Sequence, residues 1–166
     1  MQQLLGWRYC KMHLPLMGII SRAAAGGYTA SASTFDGTND YMTRGADLTG
    51  LSDGKEGTVS FWVNLNATSD MGFLTNYNAG GFDIGKISGK IRVYGTTAGN
   101  TAILNIGSAT SIVPADGWVH VLISWDMTNT ANRYLYVSDA SDLSVTTYTD
   151  GIIDYTRGDF GIGALE

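Results

Sequence analysis

Cysteine is all but absent from this chain. Cys10 stands alone among 166 residues, so no internal disulfide can form. Secreted animal domains often rely on such bridges, and a bacterial or viral origin, or an intracellular assembly route, fits their lack better. Proline occurs only at Pro15 and Pro114, and glutamate only at Glu56 and Glu166. Charged residues make up 15%, yet 44% are hydrophobic, a balance that argues against disorder. Bases are the scarcer charge. Arg8, Lys11 and Arg22 precede Asp36, and everything after them holds fifteen acids against seven bases, a net of −8. A sequence-independent nucleic-acid binder needs clustered Lys and Arg to neutralise phosphates, so nucleic acid is not an expected partner. Long apolar runs are also missing: residues 14–20 form a run of seven that contains Pro15, too short to cross a bilayer.

What is present is glycine, 22 residues of it, with recurring Thr, Ser, Asn, Val, Ile and Tyr. That mixture suits many short strands joined by glycine and Asx turns. A chain of this length holds one domain with a proper core. The clearest strand is 57–65. Val59, Phe61, Val63 and Leu65 alternate with Thr58, Ser60, Trp62 and Asn64, a period of two that a helix cannot produce. Further strands are expected at 33–36, 40–43, 71–76, 81–87, 90–96, 101–106, 117–126, 133–138, 144–149 and 160–164. Ser88-Gly89 reads as a two-residue hairpin turn, since glycine accepts positive φ without strain. The expected architecture is an all-β antiparallel sandwich of two sheets.

Residues 1–27 read differently. A basic stretch, the short apolar run and Ala23-Ala24-Ala25 resemble a signal peptide, but Arg22 stands where a neutral cleavage region belongs. We read 1–27 as a tail or attachment segment whose apolar face docks on a partner, with 28–166 as the domain.

The order FDGTNDYM (35–42), GTVSFWVN (57–64), GFDIGKISGKIRVYG (81–95), DGWVHVLISWD (116–126) and RYLYVSD (133–139) resembles the laminin G-like, concanavalin A-like jelly rolls over 33–164. In that frame Phe35 and Tyr41 bury rings on either side of a turn, Gly117-Trp118 opens a long central strand, and Leu135 and Val137 face the core. The resemblance implies a further strand after 160–163, beside the first one. A jelly roll ending at Glu166 is then expected to be C-terminally short, leaving an edge near 35–41 that is exposed, covered by the N-terminal segment or covered by another chain. The resemblance also implies a calcium at one rim, for which Asp83 and Asn78 are the candidate ligands. The alternative for these two, and for Asp36, Asn39 and Asp40, is turn chemistry on their own backbone.

For chemistry, two carboxylates on one face are what a glycosidase of this fold needs, and no strand alternates acids. His120 has no nucleophile placed by spacing, and a structural histidine is the plain reading. Strand parity leaves an aromatic set opposite the aliphatic faces: Trp62, Tyr94, Trp118, Tyr134 and Tyr136, with Arg92, His120 and Asn64. Rings bordered by polar groups suit sugars, because a ring covers the C–H face of a pyranose while neighbours bond its hydroxyls. Candidate ligand-binding residues are therefore Trp62, Arg92, Tyr94, Trp118, His120 and Tyr134. The expected function is a non-catalytic recognition or adhesion module for carbohydrate or a surface polymer, located on a virion or cell surface. A structural or assembly component of a phage virion is the alternative, and a glycoside hydrolase a second one. Partners also include a protein or a second copy, through the tail or the open edge.

Overall fold

The computed structural model describes residues 31–36, 40–43, 51–76, 81–156 and 160–163. The chain divides into two units, Met1–Thr34 and Phe35–Glu166. Of the first, residues 31–34 are described; they are exposed and without regular structure. The segment 1–27, on which the tail and signal readings rest, lies outside the described residues.

Among the described residues the second unit holds eleven strands: β1 (Met42–Thr43), β2 (Glu56–Asn64), β3 (Met71–Asn76), β4 (Phe82–Ile87), β5 (Lys90–Thr96), β6 (Ala102–Ser108), β7 (Trp118–Asp126), β8 (Arg133–Val137), β9 (Ala140–Ser141), β10 (Leu143–Tyr148) and β11 (Phe160–Ile162). They form two antiparallel sheets. One runs β1-β11-β3-β4-β5-β6-β10, the other β2-β7-β8-β9. This is the expected two-sheet sandwich.

Alternation builds the core. Phe82, Ile84, Ile91, Val93, Leu104 and Ile106 are buried on the inner face of the larger sheet. Val119, Val121, Ile123, Trp125 and Leu135 are buried on the inner face of the smaller one, with Val59, Phe61, Val63 and Val137 packed partly buried against them. The β4–β5 hairpin turns at Ser88-Gly89, whose φ angles of 51° and 82° are the positive pair a tight two-residue turn demands.

Three local expectations need correction. Residues 33–36 form no strand: Phe35 sets its ring against Gly163, whose φ of 75° and missing side chain make room for it, instead of pairing its backbone. Tyr41 is 57% exposed rather than buried, because β1 is a two-residue strand at the outermost position of its sheet. The two-residue β9 was not anticipated; it folds back on β8 through Ser138 and Asp139, both at positive φ.

Candidate functional site

The pairing of β2 with β7 is unbroken over nine residues and places Asn64 opposite Trp118, Trp62 opposite His120, Ser60 opposite Leu122, Thr58 opposite Ser124 and Glu56 opposite Asp126. On the other side of β7, Leu122 faces Tyr136 and Ser124 faces Tyr134. Side chains one position apart point to opposite faces, so all of these share the outer face. The inner positions are taken mainly by buried apolar side chains, and this face is what remains for polar and exposed aromatic ones.

Trp62 is 64% exposed, Trp118 54% and Tyr134 48%. Isolated surface aromatics are ordinary, but three on one sheet face, bordered by Asn64, Ser60, Thr58 and Ser124, make a platform. The Trp62 ring stacks on the His120 imidazole, with centroids 5.0 Å apart and planes 29° from parallel. His120 in turn meets Ser60 Oγ through Nε2 at 2.8 Å. Its Nδ1 lies 3.8 Å from Asp139 Oδ1, and the Asp139 side chain is 97% exposed. That order, Ser60–His120–Asp139, has the residue types of a hydrolytic triad. The last separation exceeds hydrogen-bond reach, though, and a fully solvated carboxylate does not hold the imidazole tautomer as a triad requires. The geometry instead locks His120 and Trp62 in one orientation.

At the other end of the face an open pocket of about 470 Å³ is lined by Glu56, Thr58, Ser124, Asp126, Asn132 and Tyr134. Asp126 accepts hydrogen bonds from Thr128 Oγ1 and N–H and from Asn132 Nδ2. These bonds hold its carboxyl below the usual carboxylate range, with the Thr128 hydroxyl the largest cause. Such an acid stays ionised as an acceptor and is unsuited to the proton-donor role in glycoside cleavage.

The candidate residues thus fall on two sheets. Trp62, Trp118, His120 and Tyr134 come together on the smaller sheet. Arg92 and Tyr94 lie on β5 of the larger sheet, where the guanidinium sits over the Tyr94 ring at 5.2 Å from its centroid. Asp83 is opposite Tyr94 and accepts the Asn76 N–H at 3.0 Å. Burial, the largest cause, pushes the Asp83 carboxyl above its ordinary value, against the lowering effects of that hydrogen bond and of Arg92. Asn78, its proposed partner toward calcium, lies outside the described residues. Among the described residues no three His, Cys, Asp or Glu side chains gather as a metal site. A hydrogen-bonded carboxyl beside a guanidinium does not fit the several charged oxygens calcium needs.

Ser60, Glu56, Asp126 and Asn132 were not singled out from the sequence. The parity of Ser60 was readable, but Glu56 falls outside the expected strand 57–65, in what reads as a loop, and Asn132 lies in the loop before β8. Their convergence depends on the β2–β7 register, a pairing of segments some sixty residues apart.

The stretch 36–166 matches the Laminin_G_3 family model, described as the concanavalin A-like lectin/glucanases superfamily. Among solved structures the chain is similar to a crystal structure of a tryptophan-to-alanine mutant of HCR/D, at 11% identity and a TM-score of 0.52. That likeness covers 82% of this chain and 37% of the other, so this chain spans little more than a third of that protein and the similarity concerns the fold alone. No curated protein matches.

Proposed function

The chain belongs to the concanavalin A-like lectin/glucanases superfamily, and from that premise we propose that it is a non-catalytic recognition module that binds carbohydrate on the outer face of β2, β7 and β8. The observation that carries this reading is the exposure of Trp62, Trp118 and Tyr134 on one sheet face among hydroxyl and amide side chains. A folded protein gains nothing in stability by holding three large rings in water. Their use is to meet an apolar surface supplied from outside, and the C–H face of a sugar ring is such a surface. The clamped stack of Trp62 on His120 supports the same reading, since a ring fixed beforehand loses little freedom on binding. Placement on a cell or virion surface belongs to this proposal, because a surface polymer is met there.

The test is a glycan array on the full chain, run with and without calcium, followed by Trp62→Ala and Trp118→Ala. Each substitution weakens binding about tenfold, an effect of roughly 1.4 kcal/mol. Both leave thermal stability within about 0.5 kcal/mol of the parent, as surface positions do. Absence of any glycan bound by the parent, or unfolding of both variants, would overturn the proposal.

A further inference from the structure

The platform has a direction and a charge. Along β2 the face runs from Trp62, beside Trp118 on β7, through Ser60 to Thr58 and Glu56. The six steps from Glu56 to Trp62 span about 20 Å at the rise of an extended strand. Aromatic rings stand at one end, Tyr134 and the open pocket at the other, and Ser60, Tyr136 and Leu122 fill the interval. A single terminal sugar needs one ring and a few hydrogen bonds. Rings at both ends of a 20 Å strip, with hydroxyls between, match a chain of several sugars laid parallel to the strands.

The charge is one-sided. Glu56 and Asp126 face each other across the strand pair at the pocket, and Asp139 stands at the rim near His120. Among the described residues the outer face presents no lysine or arginine. Lys55 has the inward parity and is ion-paired to Asp150 at 2.7 Å, and its charge is the last of the causes that lower the Asp126 carboxyl. Arg133 also has the inward parity and lies over the Tyr148 ring. Two like charges directly opposite on adjacent strands are unfavourable for the sheet. Asp126 is satisfied by its loop, but Glu56 makes no side-chain hydrogen bond or ion pair among the described residues. An exposed carboxylate with no cation paired to it among the described residues, at the mouth of the open pocket, repels uronic and sulfated polymers and attracts an ammonium group.

Resting on the carbohydrate reading above, we infer that the ligand is an extended glycan bearing free amino groups, a polymer of deacetylated amino sugars, whose ammonium groups meet Glu56 and Asp126 while its rings stack on Trp62, Trp118 and Tyr134. The Ser60, Thr58 and Ser124 hydroxyls bond the sugar hydroxyls between.

The experiment is calorimetry on the full chain with four probes: the glucosamine hexasaccharide, the cellulose hexasaccharide, the galacturonate hexasaccharide and glucosamine itself. It is run at low salt and at a pH where the amino groups are protonated. The amino hexasaccharide binds about fivefold tighter than the neutral one, the scale of one exposed ion pair, and added salt removes the difference. Glu56→Gln removes the preference for the amino oligomer, so that the two affinities come together, and on the parent the galacturonate oligomer binds weakest. Equal binding of the amino and neutral oligomers, tightest binding of the uronate, or glucosamine binding as well as its hexasaccharide overturns the inference while leaving carbohydrate recognition in place. Binding of none of the four, with no array glycan bound, overturns both.

Discussion

Single side chains decide how this sandwich responds to pH. Tyr155 is buried beside Phe82 and Trp125, with the Trp125 Nε1–H donating to its hydroxyl oxygen at 2.9 Å. Burial pushes the phenol up to about 12 from 10.0. The folded pKa is raised, so its contribution to stability is complete below pH 10 and is lost as pH rises through about 12, because the unfolded chain ionises first. Tyr155→Phe has two consequences of opposite kind. Near neutral pH it leaves the indole N–H without a partner and costs about 1–3 kcal/mol. Between about pH 10 and 12 it removes one cause of alkaline destabilisation, worth about 1.4 kcal/mol per unit of pKa separation. Urea unfolding at neutral and alkaline pH measures both. The gap between parent and variant narrows as pH rises, and a constant gap would show that the buried phenol is not what titrates.

The strands show which parts of such a fold are written locally. The alternation in β2 and β7 is complete in the sequence, and so is the Ser88-Gly89 turn, because each depends on neighbours along the chain. Tyr41 was misplaced because a ring's burial depends on what lies across from it. Gly57 shows the same dependence. It occupies an inner-face position of β2 where Val59 and Phe61 would suggest a large residue, yet it faces the Trp125 indole. A Cβ at Gly57 would meet that ring deep inside van der Waals contact. Gly57→Ala therefore gains strand propensity but displaces Trp125 from its place against Phe82 and Tyr155. Overpacking of this kind costs about 1–3 kcal/mol. The check is near-ultraviolet circular dichroism with thermal unfolding: the aromatic signal changes and the midpoint falls. An unchanged spectrum with a raised midpoint would mean that the ring gives way freely.

For the whole molecule, the division of labour between the two sheets could not be read from parity. Parity assigned Trp62, Trp118, Tyr134, Arg92 and Tyr94 to outer positions alike, and only the strand order separates them. The pocket carboxylates were hidden for the same reason, since Glu56 and Asp126 meet through a register that no local pattern encodes. One contact that joins the sheets is an aromatic trio: Phe82 from the larger sheet, Trp125 from the smaller, and Tyr155 from the segment after β10. Ring centroids are 5.3 Å apart for Phe82–Trp125 and 5.2 Å for Phe82–Tyr155. Tyr155 is itself tied down, its N–H donating to Asp53 Oδ1 beside the Gly54–Ile153 bridge. Phe82→Ala empties the middle of this contact and costs about 3–5 kcal/mol, against a total stability on the order of 5–15 kcal/mol. If the trio couples the sheets, the loss appears as one earlier transition. In a Trp7→Phe background the remaining tryptophans, Trp62, Trp118 and Trp125, all lie on the smaller sheet, and their fluorescence and the far-ultraviolet dichroism of both sheets then move together. Two separated transitions in the variant, with fluorescence lagging, would mean that the smaller sheet holds its own packing and that the platform with Trp62 and Trp118 survives the loss of its neighbour.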